Sequence, residues 1–273
     1  MTGALMRLGI ATLMTCVLGA TGIAPTASAD QPSWPPVPPA CGTDADGGIL
    51  WDAAKNAQAG EDVKAHGNLD VEIPGGDRSR GYVVHHGKSY TKNAPYDLLF
   101  IPTVRVSGIE CYNLLSPNTP HFFKAAYDEK MWLPINSDWA AGINGQFRRD
   151  QNQLHIHISK LTASARKQID DFASRGLPTD ASEWYSQKAL VRIDGHMYRA
   201  WNPSTLDHNF FSLTSDFIVR RIGKIGISMA DETLLITQFH PGSGGFIVLN
   251  SDTISGLDNG TNNSDFMLDR DAT

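Results

Sequence analysis

The chain contains little cysteine and has no surplus of positive charge. Three of its 273 residues are cysteines, and 23 Lys and Arg residues stand against 29 Asp and Glu residues, for a formal net charge of −6. An acidic chain is not expected to bind polyanions through its overall field. The sequence also lacks a basic segment with interleaved aromatic residues, the pattern typical of nucleic-acid binding. Nucleic acid is therefore excluded as an expected partner.

Long apolar runs are also missing after the first 30 residues. The N-terminus has one basic residue, Arg7, then an apolar run over residues 8–23 and the small residues Ala27-Ser28-Ala29. This is the layout of a secretory signal peptide. Glycine and threonine interrupt the run, which makes it a poor permanent membrane span. We therefore expect residues 1–29 to be a signal peptide, with an uncleaved anchor as the alternative, and the protein to be exported, either to the outer face of the cytoplasmic membrane or as a secreted protein.

Two cysteines, Cys41 and Cys111, follow the export signal. In an oxidising compartment an isolated pair usually closes a disulfide, which we expect here. Two unrelated buried thiols are the alternative. Before Cys41, residues 30–40 are dense in proline and predict an extended, semi-rigid linker.

The pattern of apolar residues predicts an α+β domain over residues 41–250, with a largely antiparallel sheet flanked by helices. Helices are predicted at residues 49–59, from the segment Asn118-Thr119-Pro120 onward, and at 162–173. Strands are predicted at residues 82–84, 97–102, 154–158, 189–193, 197–201, 213–219, 225–229, 233–239 and 245–249. Residues 251–273 are polar and acidic with Arg270 as their single base, which predicts a mobile tail.

The strand predicted at residues 154–158 bears a row of polar, chemically competent side chains. Successive side chains of a strand point to opposite faces, so Gln153, His155, His157 and Ser159 share one face and three aliphatic residues share the other. The polar residues cost strand propensity and burial without an obvious structural return. Such a row on an element fixed by its apolar face is typical of a functional site on a rigid support.

Three interpretations of the two histidines remain open at this point. One imidazole could attack phosphorus while a hydrogen bond to its other nitrogen fixes the tautomer. Both imidazoles could bind a metal ion, although the further ligand candidates have no recognisable spacing. The third interpretation is a polar pair on a solvated strand face. The further metal-ligand candidates are His85, His86, His121 and Asp150.

The segment around the histidines resembles the motif of a known family. Residues 149–159, Arg-Asp-Gln-Asn-Gln-Leu-His-Ile-His-Ile-Ser, are similar to the His-x-His-x-Ser signature of bacterial CDP-diacylglycerol pyrophosphatases, a branch of the histidine-triad superfamily. Residues 98–110, Asn144 and the segment Gly195-His196-x-Tyr198 also resemble the family. The resemblance covers roughly residues 41–250 and implies a histidine-triad-like fold with a second, strand-rich half.

The resemblance implies a role for each residue of the motif. His157 matches the nucleophile of the family, His155 matches the histidine that braces it, and Ser159 stands where other branches place a third histidine or a glutamine. The implied reaction is attack of His157 on the α-phosphorus of a CDP-lipid, departure of phosphatidate, and hydrolysis of the cytidylyl-histidine to CMP. Two such steps are easier than one direct attack by water. No cofactor or metal is implied.

Charge on the phosphoryl oxygens must be stabilised by aimed donors, and we select four candidate substrate-binding residues. They are Asn144, Arg149, Gln153 and Arg105. Two of them have a structural alternative, since Arg149 could be a solvated turn residue and Asn144, which precedes a glycine, is a natural turn residue.

A lipid substrate also implies contact with a membrane surface. The acidic chain has no basic amphipathic helix, so this contact must come from the N-terminus or from an apolar surface. Three alternative functions stay open. They are hydrolysis of soluble nucleoside diphosphate derivatives, nucleotide binding by a secreted module that has lost catalysis, and metal-dependent hydrolysis.

Overall fold

A computed structural model describes residues 41–58, 67–134, 138–222, 228–239 and 244–271. The predicted signal peptide and proline-rich linker lie outside these residues. The strands of the described part are β1 (Asn68–Glu72), β2 (Tyr82–His86), β3 (Leu98–Pro102), β4 (Trp139–Ile143), β5 (Ile156–Lys160), β6 (Leu190–Ile193), β7 (His196–Trp201), β8 (Thr233–Gln238) and β9 (Phe246–Ser251).

These strands form one sheet in the order β1-β2-β3-β5-β4-β8-β9-β7-β6, and every neighbouring pair is antiparallel. The predicted α+β class with a largely antiparallel sheet is confirmed. The strand predicted at residues 154–158 is confirmed as β5, which starts two residues later, so that His155 lies just before it. Strand β5 lies near the middle of the sheet between β3 and β4. Within the described part of the chain, no helix has the length and apolar character needed to cross a bilayer.

Four helices of the described residues pack on the sheet. They are α1 (Gly48–Lys55), α2 (Phe122–Asp128), α3 (Ala163–Ala173) and α4 (Phe210–Thr214). Helix α3 begins after Thr162, whose hydroxyl oxygen accepts a hydrogen bond from the amide of Ala165 at 3.1 Å, as expected of an N-cap. The helices predicted at 49–59 and 162–173 are confirmed with slightly different ends. The cap predicted at Asn118 is wrong, because residues 116–119 form a turn and α2 starts at Phe122.

The two faces of the sheet bury different amounts of apolar surface. One face contacts α2 and α4 and contains the largest core, with Phe100, Phe123 and Phe210 among its rings. Two smaller apolar clusters contain the other helices. In one, α1 packs against Leu99 and Ile101, and in the other, α3 packs against residues of β4, β7 and β8. Burial of this apolar surface is the main driving force for the fold.

The strand predicted at residues 213–219 is wrong. This segment continues α4 as a π-helical turn, Ser215–Val219, followed by Arg220–Ile222. Phe210, Phe211, Thr214 and Ile218 are buried at helical spacing, and this tertiary burial overrides the strand preference of β-branched residues. The strand predicted at 225–229 lies mostly outside the described residues, and Met229 belongs to a 3-10 turn.

The mobile tail predicted from residue 251 is wrong for residues 251–271. Met267 and Ser264 are buried, the amide of Thr162 donates to the carbonyl of Met267 at 2.9 Å, and Leu268 forms a β-bridge with Leu161. The polar composition suggested solvation, but many of these polar groups are hydrogen bonded within the body. The folded domain therefore extends beyond the predicted boundary at residue 250.

The disulfide between Cys41 and Cys111 is present, as predicted. A second set of contacts near it involves Arg105, whose Nε donates to the carbonyl of Thr43 at 2.7 Å and whose Nη2 contacts the Asp46 carboxylate at 2.8 Å. Together the disulfide and Arg105 fix residues 41–46 to the body of the domain. Helix α1 follows directly and is thereby placed beside the pocket that contains His155 and His157.

Candidate active site

A pocket of about 660 Å³ contains both histidines of the motif. This volume is within the range of small-molecule sites. The pocket joins side chains from α1, from the loop after β2, from the segment before β5 and from the C-terminal segment. Its walls include Ile49, Leu50, His85, His86, Gly87, Lys88, Ser89, Leu99, Asn144, Arg148, Arg149, Asp150, Gln151, His155, His157, Asp265 and Arg270.

The alternation predicted for the histidine strand is confirmed. Ile156 and Ile158 are fully buried in the large core, while His155 and His157 line the pocket. His157 lies opposite Leu99 of β3 and Gly142 of β4. Ladder pairing on both sides therefore fixes the backbone under His157.

His155 is held as a neutral imidazole. Its Nδ1 lies 2.7 Å from the carbonyl oxygen of Gln153. Since a carbonyl only accepts, Nδ1 carries the hydrogen and Nε2 keeps its lone pair. Burial, together with the nearby charge of His157, lowers the pKa of His155 to about 3. At neutral pH this ring adds no positive charge to the pocket.

His157 lies among three charged side chains. Its Nδ1 is 3.7 Å from Oδ1 of Asp97 and 3.4 Å from Nη1 of Arg270. Its Nε2 is 4.0 Å from Oδ1 of Asp265. The rings of His155 and His157 are 5.2 Å apart. Nδ1 thus faces a carboxylate that can only accept a proton and a guanidinium that can only donate one.

Asp97 immediately precedes β3 and is almost completely buried, with 1 % of its surface exposed. Its Oδ2 accepts a hydrogen bond from the amide of Ser89 at 2.7 Å. Gly87 lies against the same carboxylate, where a Cβ atom would collide with it. Burial opposes ionisation of Asp97, but His157, the Ser89 amide and Arg270 outweigh it and hold the pKa of this carboxyl below its usual range. Asp97 therefore joins the loop after β2 to His157 as an ionised group.

Two of the predicted substrate-binding residues line the pocket. Arg149 donates from both Nη atoms to Glu110, at 2.6 and 2.7 Å, in a bidentate ion pair. Asn144 accepts at Oδ1 from the amide and hydroxyl of Ser264, at 2.8 and 2.7 Å. Any hydrogen bond from Asn144 to a substrate oxygen would have to come from Nδ2. The contacts of both residues also support the pocket wall.

The other two predicted substrate-binding residues have different positions. Gln153 is fully buried, and its Nε2 donates to the carbonyls of Pro102 and Val104, both at 3.0 Å. Arg105 donates to Gln153 Oε1 at 3.1 Å and otherwise binds residues 43–46. Neither side chain is part of the pocket wall. The structure does not bring these two predicted phosphate ligands to the pocket, because their donors are engaged by Pro102, Val104 and residues 43–46.

Ser159 also lies away from the pocket wall. It is fully buried opposite Ala140 of β4, and its hydroxyl has no hydrogen-bond partner among the described residues. It shares a strand face with His157, as predicted, but it lies two residues further along β5, beyond the residues that line the pocket. The structure does not bring Ser159 to the pocket, and its catalytic role stays a prediction from the motif.

Three residues that the sequence analysis did not select lie next to His157: Asp97, Asp265 and Arg270. Asp97 had a detectable signal as an acid immediately before a wholly apolar strand. Arg270 was noted as the single base of an acidic segment, but the segment was assigned to a mobile tail. All three residues come close to His157 through contacts between distant parts of the chain, which local sequence patterns do not reveal.

The pocket combines two buried imidazoles, an ionised carboxylate and a guanidinium. These groups suit nucleophilic attack by a histidine on a phosphorus centre, in which the carboxylate balances positive charge on the ring and the cation meets the phosphoryl oxygens. In the ranges that the structure describes, no group of three or more His, Cys, Asp or Glu side chains is arranged to hold a metal ion.

Comparison with known proteins agrees with this class of site. The family model for CDP-diacylglycerol pyrophosphatase matches residues 50–272, so the chain belongs to the CDP-diacylglycerol pyrophosphatase family. A relative from Yersinia pestis, also described as CDP-diacylglycerol pyrophosphatase, is 44 % identical over 77 residues. That alignment covers 26 % of this chain and 30 % of the relative, so the chain matches under a third of the relative's length.

A solved structure gives a weaker similarity. The crystal structure of yeast Ap4A phosphorylase Apa2 superposes with a TM-score of 0.41 and 12 % sequence identity, covering 74 % of this chain and 63 % of that chain. Nothing about function follows from a similarity of this size. The histidine-triad-like character of the fold stays a prediction from the motif.

Proposed function

We propose that this protein hydrolyses the pyrophosphate bond of CDP-diacylglycerol to CMP and phosphatidate through a cytidylyl-histidine on His157. The observation that carries the proposal is the position of His157 in the pocket, with the Asp97 carboxylate 3.7 Å from Nδ1. Membership of the family supports the substrate class. The geometry supports a histidine nucleophile, because the Asp97 carboxylate beside Nδ1 favours the tautomer with a free lone pair on Nε2 once the Arg270 guanidinium, 3.4 Å from the same Nδ1, pairs with the substrate.

In the first step, Nε2 of His157 forms a bond to the α-phosphorus. The bond between this phosphorus and the bridging oxygen breaks, and phosphatidate leaves with the electron pair. The ring then bears phosphorus on Nε2 and hydrogen on Nδ1, so it is positively charged. Asp97 is ionised and lies beside Nδ1, where it stabilises this charge.

In the second step, the oxygen of a water molecule bonds to the same phosphorus. The N–P bond breaks, CMP leaves, and a proton from the water passes to solvent. His155, neutral and with a free lone pair on Nε2, can accept a hydrogen bond in the pocket without binding the phosphoryl group as a cation. We assign it the role of bracing the nucleophile and its water.

The apolar part of the pocket fits a lipid substrate. Helix α1 contributes Ile49 and Leu50 to the wall, and Ile49 is 70 % exposed. In this proposal Ile49 and Leu50 form the surface that contacts the acyl end of the lipid. Export through the N-terminal signal would place this surface at the outer face of the cytoplasmic membrane. The disulfide is compatible with that compartment.

The test is turnover of CDP-diacylglycerol in mixed micelles, with a chelator present and no added metal. We expect His157→Ala to lower kcat/KM by about 1000-fold or more, since the covalent route is lost. The matched control is His121→Ala, which removes an exposed imidazole outside the pocket and should retain full activity. Retained turnover in His157→Ala would refute the assignment of the nucleophile.

Trapping identifies the residue and separates the alternative functions. A CDP-lipid labelled at the α-phosphorus, quenched at short times, should yield a labelled peptide at His157 rather than at His155. A soluble CDP-alcohol should be a poor substrate, and faster turnover of it would favour the alternative of a soluble nucleotide hydrolase. Binding of CDP without turnover would indicate the inactive module, and inhibition by the chelator would indicate a metal-dependent enzyme.

A further inference from the structure

The C-terminal segment, residues 260–271, lies over the nucleophile. Ser264 is hydrogen bonded to Asn144 through both its amide and its hydroxyl. Gly142, directly opposite His157 on β4, leaves room for this contact, because a Cβ atom there would stand 2.6 Å from the Ser264 hydroxyl. Further along, the amide of Asp269 donates to the carbonyl of Lys160 at 2.7 Å. These bonds fix Asp265 and Arg270 at the pocket.

Arg270 is the pocket arginine that contacts the nucleophile, His157. Both Nη atoms of Arg149 are engaged by Glu110, and Nε of Arg148 contacts Asn262 at 3.3 Å. Arg270 contacts Asp265 at 3.0 Å through Nη2, while its Nη1 lies 3.4 Å from Nδ1 of His157 and 3.9 Å from Oδ1 of Asp97. Its side chain is 27 % exposed, so it is accessible to a ligand from the pocket.

Asp265 lines the pocket beside Nε2 of His157. Its Oδ1 is 4.0 Å from Nε2 of His157, the nitrogen assigned to attack, and this oxygen has no hydrogen-bond partner among the described residues. A phosphoryl group placed for attack would occupy the same region near Nε2. The carboxylate therefore marks a position for negative charge in the pocket.

We propose that Arg270 binds the pyrophosphate of the substrate. On binding, the pyrophosphate displaces the Asp265 carboxylate as the anion that is paired with Arg270. The proposal rests on the proposed function for the identity of the substrate. On binding, the guanidinium pairs with phosphoryl oxygens, as planar guanidinium groups do with high affinity. Its movement off Nδ1 of His157 leaves Asp97 as the acceptor at this nitrogen, and Nε2 becomes the free nucleophile.

The test measures binding of inorganic pyrophosphate to the full chain by isothermal titration calorimetry at fixed ionic strength. Pyrophosphate contains the charged part of the substrate and requires no turnover. We expect Arg270→Gln to weaken binding roughly 10- to 100-fold, the cost of a lost charge-assisted contact. We expect Asp265→Asn to tighten binding about three- to tenfold, because the competing negative charge is removed.

The opposite signs separate this role from a structural one. Each variant neutralises one partner of the same ion pair, so an ion pair that only fixes the fold predicts that both variants weaken binding or that neither changes it. Either result overturns the proposal. The control is Arg220→Gln, which removes an exposed arginine paired with Asp216 outside the pocket and should bind pyrophosphate like the unmodified chain. Thermal unfolding of each variant confirms that it is folded.

The outcome is independent of the nucleophile assignment. If His157→Ala retains turnover but the two binding shifts have opposite signs, the anion exchange stands and the covalent mechanism fails. If the nucleophile is confirmed but Asp265→Asn binds pyrophosphate more weakly, the exchange fails and the covalent mechanism stands.

Discussion

Two buried carboxyl groups in this domain have pKa values shifted in opposite directions. Asp97, at the catalytic pocket, and Glu232, beside β8, have 1 % and 0 % of their surface exposed. The pKa of Asp97 is held below its usual range by His157, the Ser89 amide and Arg270 despite burial. Burial, reinforced by the charge of Asp252, raises the pKa of Glu232 to about 8. Equal burial thus leaves one group ionised and the other protonated at neutral pH.

The difference comes from the charges that surround each group. Glu232 accepts a hydrogen bond from Asn250 at 2.6 Å, but the nearby guanidinium of Arg199 is bonded to Asp252 at 3.0 Å. With the cation already paired, Glu232 is stabilised as the neutral acid. Asp97 instead faces an imidazole and a guanidinium. Of these two buried carboxyls, the one that faces an imidazole and a guanidinium is ionised, and it is the one at the pocket.

The largest effect on activity is expected from neutralising Asp97, the ionised carboxyl of the pair. Asp97→Asn should lower kcat/KM for CDP-diacylglycerol by about 100-fold or more, since the ring loses the charge that stabilises its cationic intermediate. Because the pKa of Asp97 is lowered on folding, its ionised form contributes stability above pH 3.8, and this is lost as the pH falls through the folded value. At pH 7 the variant should also unfold at a lower urea concentration.

The matched control for this prediction is Asp128→Asn, which neutralises an exposed carboxyl paired with Lys124 outside the pocket. It should leave kcat/KM unchanged. If Asp97→Asn kept kcat/KM within about threefold of the unmodified chain, a charge-stabilising role would be excluded.

Substitution of Glu232, the protonated carboxyl of the pair, should change stability and leave catalysis unchanged. Below pH 4.5, Glu232 is protonated in both the folded and the unfolded chain. Between pH 4.5 and about 8 the unfolded chain releases this proton and the folded chain keeps it, so the free energy of unfolding falls as the pH rises, by an amount of the order of a few kcal/mol. Glu232→Gln should remove this loss and be more stable than the unmodified chain at pH 8.

Urea unfolding at pH 5, 7 and 8.5 measures this difference, with the exposed Glu183→Gln as control. The stability of the Glu232 variant should diverge from that of the unmodified chain as the pH increases, while the control follows the unmodified chain. Parallel curves for all three proteins would mean that Glu232 is ionised in the folded state, and the contrast with Asp97 would disappear.

Local patterns in the sequence were sufficient to predict the elements that carry the histidines. The alternation around His155 and His157 predicted the strand, its buried face and its polar face. The helix over 162–173 followed from its cap and apolar stripe. Both depend on neighbours within a few residues, and the structure confirms them. By the same local criteria, residues 213–219 resembled a strand, and only their packing against the core shows that they are helical.

The partners of the nucleophile depend on contacts between distant parts of the chain. Arg270 lies 113 positions from His157 in the sequence, and a polar segment gives no local sign of whether its groups will be bonded in the fold. Arg105 and Gln153 illustrate the converse. Each is a good phosphate donor by residue type, but both are hydrogen bonded to each other and to nearby loops. Residue type alone does not distinguish a donor that meets substrate from one that fixes a loop.

The smallest expected effect extends the comparison to a buried polar group without charge. Ser159→Ala removes a hydroxyl that is fully buried and has no hydrogen-bond partner among the described residues. Loss of an unpaired buried hydroxyl should leave stability unchanged or raise it by up to about 1 kcal/mol. Turnover of CDP-diacylglycerol should be within about twofold of the unmodified chain, because Ser159 does not line the pocket. A large loss of kcat with unchanged stability would instead show that Ser159 reaches the reacting groups, as the family motif predicts.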